Sequence, residues 1–132
     1  MEGGTLLKIQ ESAENYLETI LILSQKKPHV RSIDIATELN FSKPSVSVAM
    51  KNLRSKDLII MDEDGHIHLT PSGLAIAAKI YERHTLLSKL LIMLGVNEKT
   101  AIEDACRMEH VISEESFEAI KEHVASKMKQ ED

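Results

Sequence analysis

The sequence predicts a mainly α-helical fold carrying one small β-hairpin. Three observations lead there. Aromatic residues make up 3% of the 132 residues and Trp is absent, while apolar residues reach 42%. The core must therefore be built from Leu, Ile, Val, Ala and Met, a palette suited to helices packing on helices. Apolar residues recur at three- and four-residue spacing through several stretches. Only around Asp62 to Gly65 does the pattern change, to two short apolar runs flanking a turn.

Ala13, Leu17, Ile20, Leu21 and Ser24 fall on one stripe of a first helix, Glu11 to Ser24. Lys26-Lys27-Pro28 ends it, because proline disfavours helical geometry at the preceding residue. Ser32 is the expected N-cap of a short second helix that turns Ile35, Ala36 and Leu39 inward. Asn40-Phe41 makes a tight connection, since asparagine tolerates left-handed geometry at a helix end. Ser42 caps a third helix with Pro44 in its first turn, where a missing backbone donor costs little. Val46, Ala49, Met50 and Leu53 form its inner stripe. A short helix, a brief turn and a capped helix of about three turns make a helix-turn-helix.

Leu58–Met61 and His66–Leu69 flank Asp62-Glu63-Asp64-Gly65, an expected hairpin. Directly after a helix-turn-helix, such a hairpin is a wing. Thr70-Pro71-Ser72-Gly73 opens a long helix carrying Leu74, Ala77, Ala78, Tyr81, Leu87 and Leu91, which Gly95 ends. Asn97 caps the next helix, expected to run to Ile112. Ser113 caps a last amphipathic helix with Phe117, Ile120, Val124 and Met128. Ser116 stands three places on instead of Glu or Gln, so the full capping box is missing. The chain is expected to divide into a winged helix-turn-helix DNA-binding domain, residues 1–73, and a helical domain, residues 74–132.

The third helix is the expected reader of DNA. Its outward residues are Ser42, Lys43, Pro44, Ser45, Ser47, Val48, Lys51 and Arg54. Hydroxyls and cations suit phosphate oxygens and base edges, and a capped helix start adds backbone donors. From Ser42 to Lys56 every charged residue is cationic, although the chain carries a net charge of -5. Distribution matters more than the sum here. The helix start lacks Asn, Gln and Arg, so direct base readout is thin. Pro44, Ser45 and Val48 suit contacts with thymine methyls, and DNA shape supplies the rest.

One Cys allows no internal disulfide, and no apolar run approaches the ~20 residues that cross a bilayer. The start of the chain lacks the pattern of a secretory signal. The expected location is the cytoplasm.

A second constellation lies in the helical domain. Cys106, Glu109 and His110 are spaced i, i+3 and i+4 on one expected helix, so their side chains share a face. Thiolate, carboxylate and imidazole form a transition-metal set and not a calcium set. Asn15 and Glu18 share a face of the first helix, and His84 lies midway along the long helix. On spacing alone two readings stay open: a metal site, or a buried small Cys beside a surface Glu-His pair. His29, His66, His68 and His123 fall in loop, wing or polar-face positions; His66 and His68 alternate along a strand, a pattern that also holds adventitious metal.

The stretch Asp104-Ala105-Cys106-Arg107-Met108-Glu109-His110-Val111-Ile112-Ser113 resembles the metal-binding helix of the diphtheria toxin repressor family. Tyr16-Leu17-Glu18-Thr19-Ile20 resembles its first helix, Ser42-Lys43-Pro44-Ser45-Val46-Ser47 its recognition helix, and Arg83-His84 its long linking helix. The resemblance implies that Cys106, Glu109 and His110 match ligands of the iron-type members, and Glu18 and His84 ligands of the manganese-type members. Asn15 departs from both, offering a neutral carbonyl oxygen. Ile102 and Ser88 replace a His and a Glu of the iron-type ancillary site, which therefore cannot form in its usual way; Glu103 is a candidate substitute carboxylate, and whether it is a ligand stays open. The resemblance also implies the short form without an SH3-like C-terminal domain, as in the manganese transport regulators.

The expected function is a metal-dependent transcriptional repressor, a homodimer activated by a divalent metal to bind palindromic operators of metal-homeostasis genes. Fe2+ is favoured by the thiol donor, with Mn2+ the competitor; Co2+, Ni2+ and Zn2+ should substitute in vitro. Two alternatives stay open: a metal-independent winged-helix regulator and a small metallohydrolase. The enzyme reading lacks a His-Glu-x-x-His run, a phosphate loop and a nucleophile motif. No membrane or small-molecule substrate is expected.

Overall fold

The structure is a computed structural model that describes residues 2–131, with side chains for residues 11–129. Its elements are α1 (Glu2–Lys26), α2 (Ser32–Leu39), α3 (Lys43–Ser55), β1 (Ile59–Met61), β2 (Ile67–Leu69), α4 (Pro71–Met93), α5 (Glu98–Met108) and α6 (Glu114–Glu131). The mainly helical class with one antiparallel hairpin is the expected one. The chain divides into two compact units, Met1–Ala78 and Lys79–Asp132, so the division falls inside α4.

In the first unit α1, α2 and α3 converge on one core. Leu17, Ile20 and Leu23 of α1 meet Ile35 and Ala36 of α2, Val46, Met50 and Leu53 of α3, and Ile59 and Ile67 of the hairpin. Ser24, expected on the inner stripe of α1, is exposed, and Leu23 is the buried residue there. Ser24 lies at the helix end, where its hydroxyl bonds back to Ile20 O.

Local chemistry sets the helix ends. Asn40 closes α2 in the left-handed region, at φ 57 and ψ 43. Ser42 caps α3 by accepting from Ser45 N at 3.3 Å. The N-cap of α2 is Arg31 and not Ser32, which is the first helical residue. There the Asp34 carboxylate accepts from Arg31 N at 2.9 Å, the half of a capping box that satisfies the N-cap's own N–H. Lys27 and Arg31 hold the Asp34 carboxyl below its usual range.

The hairpin pairs Ile59 with Leu69, Ile60 with His68 and Met61 with Ile67. Gly65, at φ 81, supplies the left-handed residue of its turn. Asp62 ties the turn: its Oδ1 accepts from Asp64 N and His66 N, each at 2.9 Å.

Helix α4 opens against the base of the wing. Thr70 N donates to Leu58 O at 3.1 Å, and Thr70 Oγ1 accepts from Gly73 N at 3.1 Å. A Cβ on Gly73 would lie 2.0 Å from Leu58 O, so the close approach requires glycine. Leu74, Ala78 and Tyr81, expected on the inner stripe, are exposed; Ala77, Ile80 and Leu87 are buried. The helix is apolar on several sides, so its period does not reveal which side is covered. In the second unit Ile80 and Leu87 of α4, Ala101 and Ala105 of α5, and Phe117 and Val124 of α6 are buried. Asn97 caps α5 by accepting from Lys99 N, and Ser113 caps α6 by accepting from Ser116 N, both as expected. None of the described helices is long and apolar enough to cross a membrane.

Candidate metal centre and DNA-binding face

Helix α5 ends at Met108, four residues short of the expected Ile112. Glu109 still has helical dihedrals, φ -60 and ψ -26, and its N–H bonds to Ala105 O. Its side chain therefore keeps the register of Cys106, three residues earlier. His110 falls in the turn beyond, so the expected shared helical face holds for Cys106 and Glu109 only.

Helix α4 supplies the third donor. His84 Nδ1 lies 2.9 Å from Glu109 Oε2 and 3.7 Å from Cys106 Sγ. One donor atom from each of His84, Cys106 and Glu109 falls within 4.8 Å of the other two. His110 Nε2 stands 3.4 Å from Glu109 Oε1, behind this trio. Asn15 and Glu18 lie on α1 in the first unit, Glu18 buried and Asn15 half-buried, with Asn15 O accepting from Thr19 Oγ1. Of the two ancillary-site positions, Ser88 is buried and Ile102 exposed; Glu103 is exposed.

The donor set fits a cation. Glu109 is 1% exposed and sits at the C-terminal end of α5, where the carbonyls already gather negative charge. Its Oε1 has no hydrogen bond among the described residues. A buried carboxylate in that position needs a positive partner. In the metal-free protein a proton takes that role. Cys106 and Glu109 push the His84 pKa up to about 10, against the opposing effect of burial. A metal ion would replace that proton, drawing sulfur, nitrogen and oxygen donors from two helices. Cys106 is exposed, which leaves an approach from solvent.

A second cluster, Asp62, Asp64 and His66, lies in the wing. Asp62 Oδ2 faces His66 Nδ1 at 3.4 Å and His68 Nε2 at 3.3 Å. This cluster is accounted for by the turn it ties together. Arg31 Nη2 lies 3.3 Å from the other ring nitrogen, His66 Nε2, so the imidazole already has neighbours at both nitrogens.

In the first unit, all eight expected DNA-contacting residues of α3 and its cap are exposed: Ser42, Lys43, Pro44, Ser45, Ser47, Val48, Lys51 and Arg54. Val46, Met50 and Leu53 face the core, so burial separates the two sides of α3. The fold adds Ser32, assigned only a capping role by sequence. It joins Ser47, Lys51 and Arg54, with Met50 and Met61, in lining a notch of about 220 Å³, which puts a hydroxyl of α2 beside the cations of α3. The pairing depends on α2 crossing α3, which no local motif encodes.

Two family models match the chain. Residues 8–67 match the iron dependent repressor N-terminal DNA binding domain, and residues 70–129 the iron dependent repressor metal binding and dimerisation domain. The chain is 34% identical over 112 residues to the transcriptional regulator MntR of Escherichia coli O6:H1, covering 85% of this chain and 72% of that protein. Among solved structures it is similar to the manganese regulator SloR, with a TM-score of 0.75, 28% identity and coverage of 86% of this chain. The T. acidophilum IdeR structure gives a TM-score of 0.74 at 29% identity over 85% of this chain. The chain spans 53% of the length of each of those two structures. The relatives are regulators of transcription and not enzymes, which removes the metallohydrolase reading.

Proposed function

The chain belongs to the iron-dependent repressor family, and from that premise we propose that it is a homodimeric repressor whose operator binding is switched on by a divalent transition metal at His84, Cys106 and Glu109. The convergence of these three donors is the observation that carries the proposal. His110 stands beside them and supports Glu109, while Asn15 and Glu18 enter as further donors by family resemblance alone.

Within the second unit, a metal supplies one positive centre shared by α4 and the end of α5. His84 holds it from the middle of α4, and Glu109 and Cys106 from the last turn of α5. Fixing these helices together biases the protein toward one arrangement, and a ligand shifts an equilibrium by its differential affinity for the two states. Dimerisation, carried by the matched family domain, presents two α3 helices to a palindromic operator. Ile92, Met93, Leu94 and Ile102 leave apolar surface for that contact. A protein of this function works in the cytoplasm, beside the chromosome.

For the metal itself we propose Fe2+, because the thiol is a softer donor than a carboxylate. Mn2+ is the second reading, favoured by the manganese regulator SloR among the similar structures. The deciding experiment is anaerobic operator binding with buffered Fe2+, buffered Mn2+ or chelator. Equal binding with and without chelator would replace the proposal with a metal-independent regulator.

A further inference from the structure

We infer that Arg83 is a positioning residue for the metal centre, holding the turn after α5 so that Glu109 stays within reach of His84. The inference rests on the metal-centre reading above. Arg83 is only 8% exposed. Its Nη1 donates to Glu109 O at 3.1 Å and to Ile112 O at 3.0 Å, and its Nη2 donates to Glu114 Oε2 at 3.1 Å. The guanidinium carbon lies 5.4 Å from the ring centre of the buried Phe117.

The last carbonyls of a helix have no partner within it, and at the end of α5 Arg83 supplies that partner. Glu109 is thereby gripped at both ends by consecutive residues of α4. Arg83 binds its carbonyl, and His84 meets its carboxylate. The guanidinium is a planar fork with fixed donor directions, so it can hold two carbonyls at once. A lysine in its place would bring a point charge and a mobile stem. The ion pair of Arg83 is with Glu114, which also pairs with Lys79. Arg83 thus orients a ligand through the backbone.

Partners that orient metal ligands typically contribute 10–100-fold in metal affinity. The test uses Co2+, whose ligand-field bands report donor geometry and whose thiolate band reports the sulfur. Arg83→Met should bind Co2+ roughly 10–100-fold more weakly, with shifted ligand-field bands. Arg83→Lys should recover part of the affinity. Val124→Ala, which thins the same core away from the turn, should lower thermal stability and leave the bands unmoved. Wild-type affinity and bands in Arg83→Met would overturn the inference, and so would the same result in Arg83→Lys should the first variant fail to fold. If wild-type protein shows no thiolate band, or one that survives Cys106→Ser, the metal-centre reading falls and takes this inference with it.

Discussion

His84 Nδ1 lies 2.9 Å from Glu109 Oε2, joining the middle of α4 to the end of α5. The Cys106 sulfur, with Glu109 next, keeps the imidazole protonated up to about pH 10. A metal ion must therefore expel a proton, and affinity should rise by at least about tenfold per pH unit between neutrality and pH 10. The metal-free fold should respond in the opposite sense. His84 has a folded pKa raised above its ordinary 6.5, so its contribution to stability is complete below pH 6.5 and is lost as pH rises through about 10. Chelator-competition titrations and thermal melts across this range check both slopes. A pH-independent metal affinity would contradict the first.

Cys106→Ala should separate folding from regulation. The side chain is exposed, so the fold should persist, and the metal-free protein should lose only the part of the His84 contribution that Cys106 supplies, a loss that fades as pH rises through about 10. Metal-stimulated operator binding should disappear, removing an enhancement of roughly 5–150-fold if the coupling has the usual size. Fluorescence anisotropy with labelled operator, with metal and with chelator, reads the difference directly.

Gly73→Ala tests how α4 begins. A new Cβ would stand 2.0 Å from the Leu58 carbonyl oxygen, a backbone atom that cannot turn aside. Alanine gains about 1 kcal/mol of helix propensity, and the enforced shift should exceed it, leaving a net loss of about 1–3 kcal/mol. Denaturant unfolding would show it as a lower midpoint at unchanged slope.

On the DNA face, Lys51→Ala should weaken operator binding without altering thermal stability, because the side chain is exposed on α3. In the homodimer the substitution removes one phosphate contact from each protomer, so the dependence of log K on log salt should become shallower by about two units. Ser42→Ala differs in kind. It removes the cap on Ser45 N, and stability itself should fall by about 1 kcal/mol.

Features governed by neighbours in sequence were the legible ones. Asn40, Ser42, Asn97 and Ser113 end or begin helices through bonds spanning a few residues, and each does so as the sequence implies. The i, i+3 relation of Cys106 and Glu109 was legible for the same reason. Other features depend on what the chain meets at a distance. The cap of α2 comes from Asp34 reaching back to Arg31, a job hidden by the attractive Ser32 beside it. The end of α5 at Met108 carries no proline or glycine, and Arg83, twenty-six residues before the C-cap Glu109, is what holds the Glu109 carbonyl. His84 joins the candidate site by family resemblance, since its spacing to Cys106 and Glu109 has no local rule. The covered side of α4 was illegible because Leu74, Ala78 and Tyr81 look as apolar as the residues that are buried.

The exposed sulfur of Cys106 also gives the site a limited lifetime. A cysteine sulfur open to solvent can be oxidised to a sulfenic acid and beyond, and the later stages are irreversible. Glu109 is buried and His84 mostly so; neither is vulnerable in that way. Ageing in air should therefore remove one donor while the other two stay in place, and such a preparation should keep its fold and lose metal occupancy.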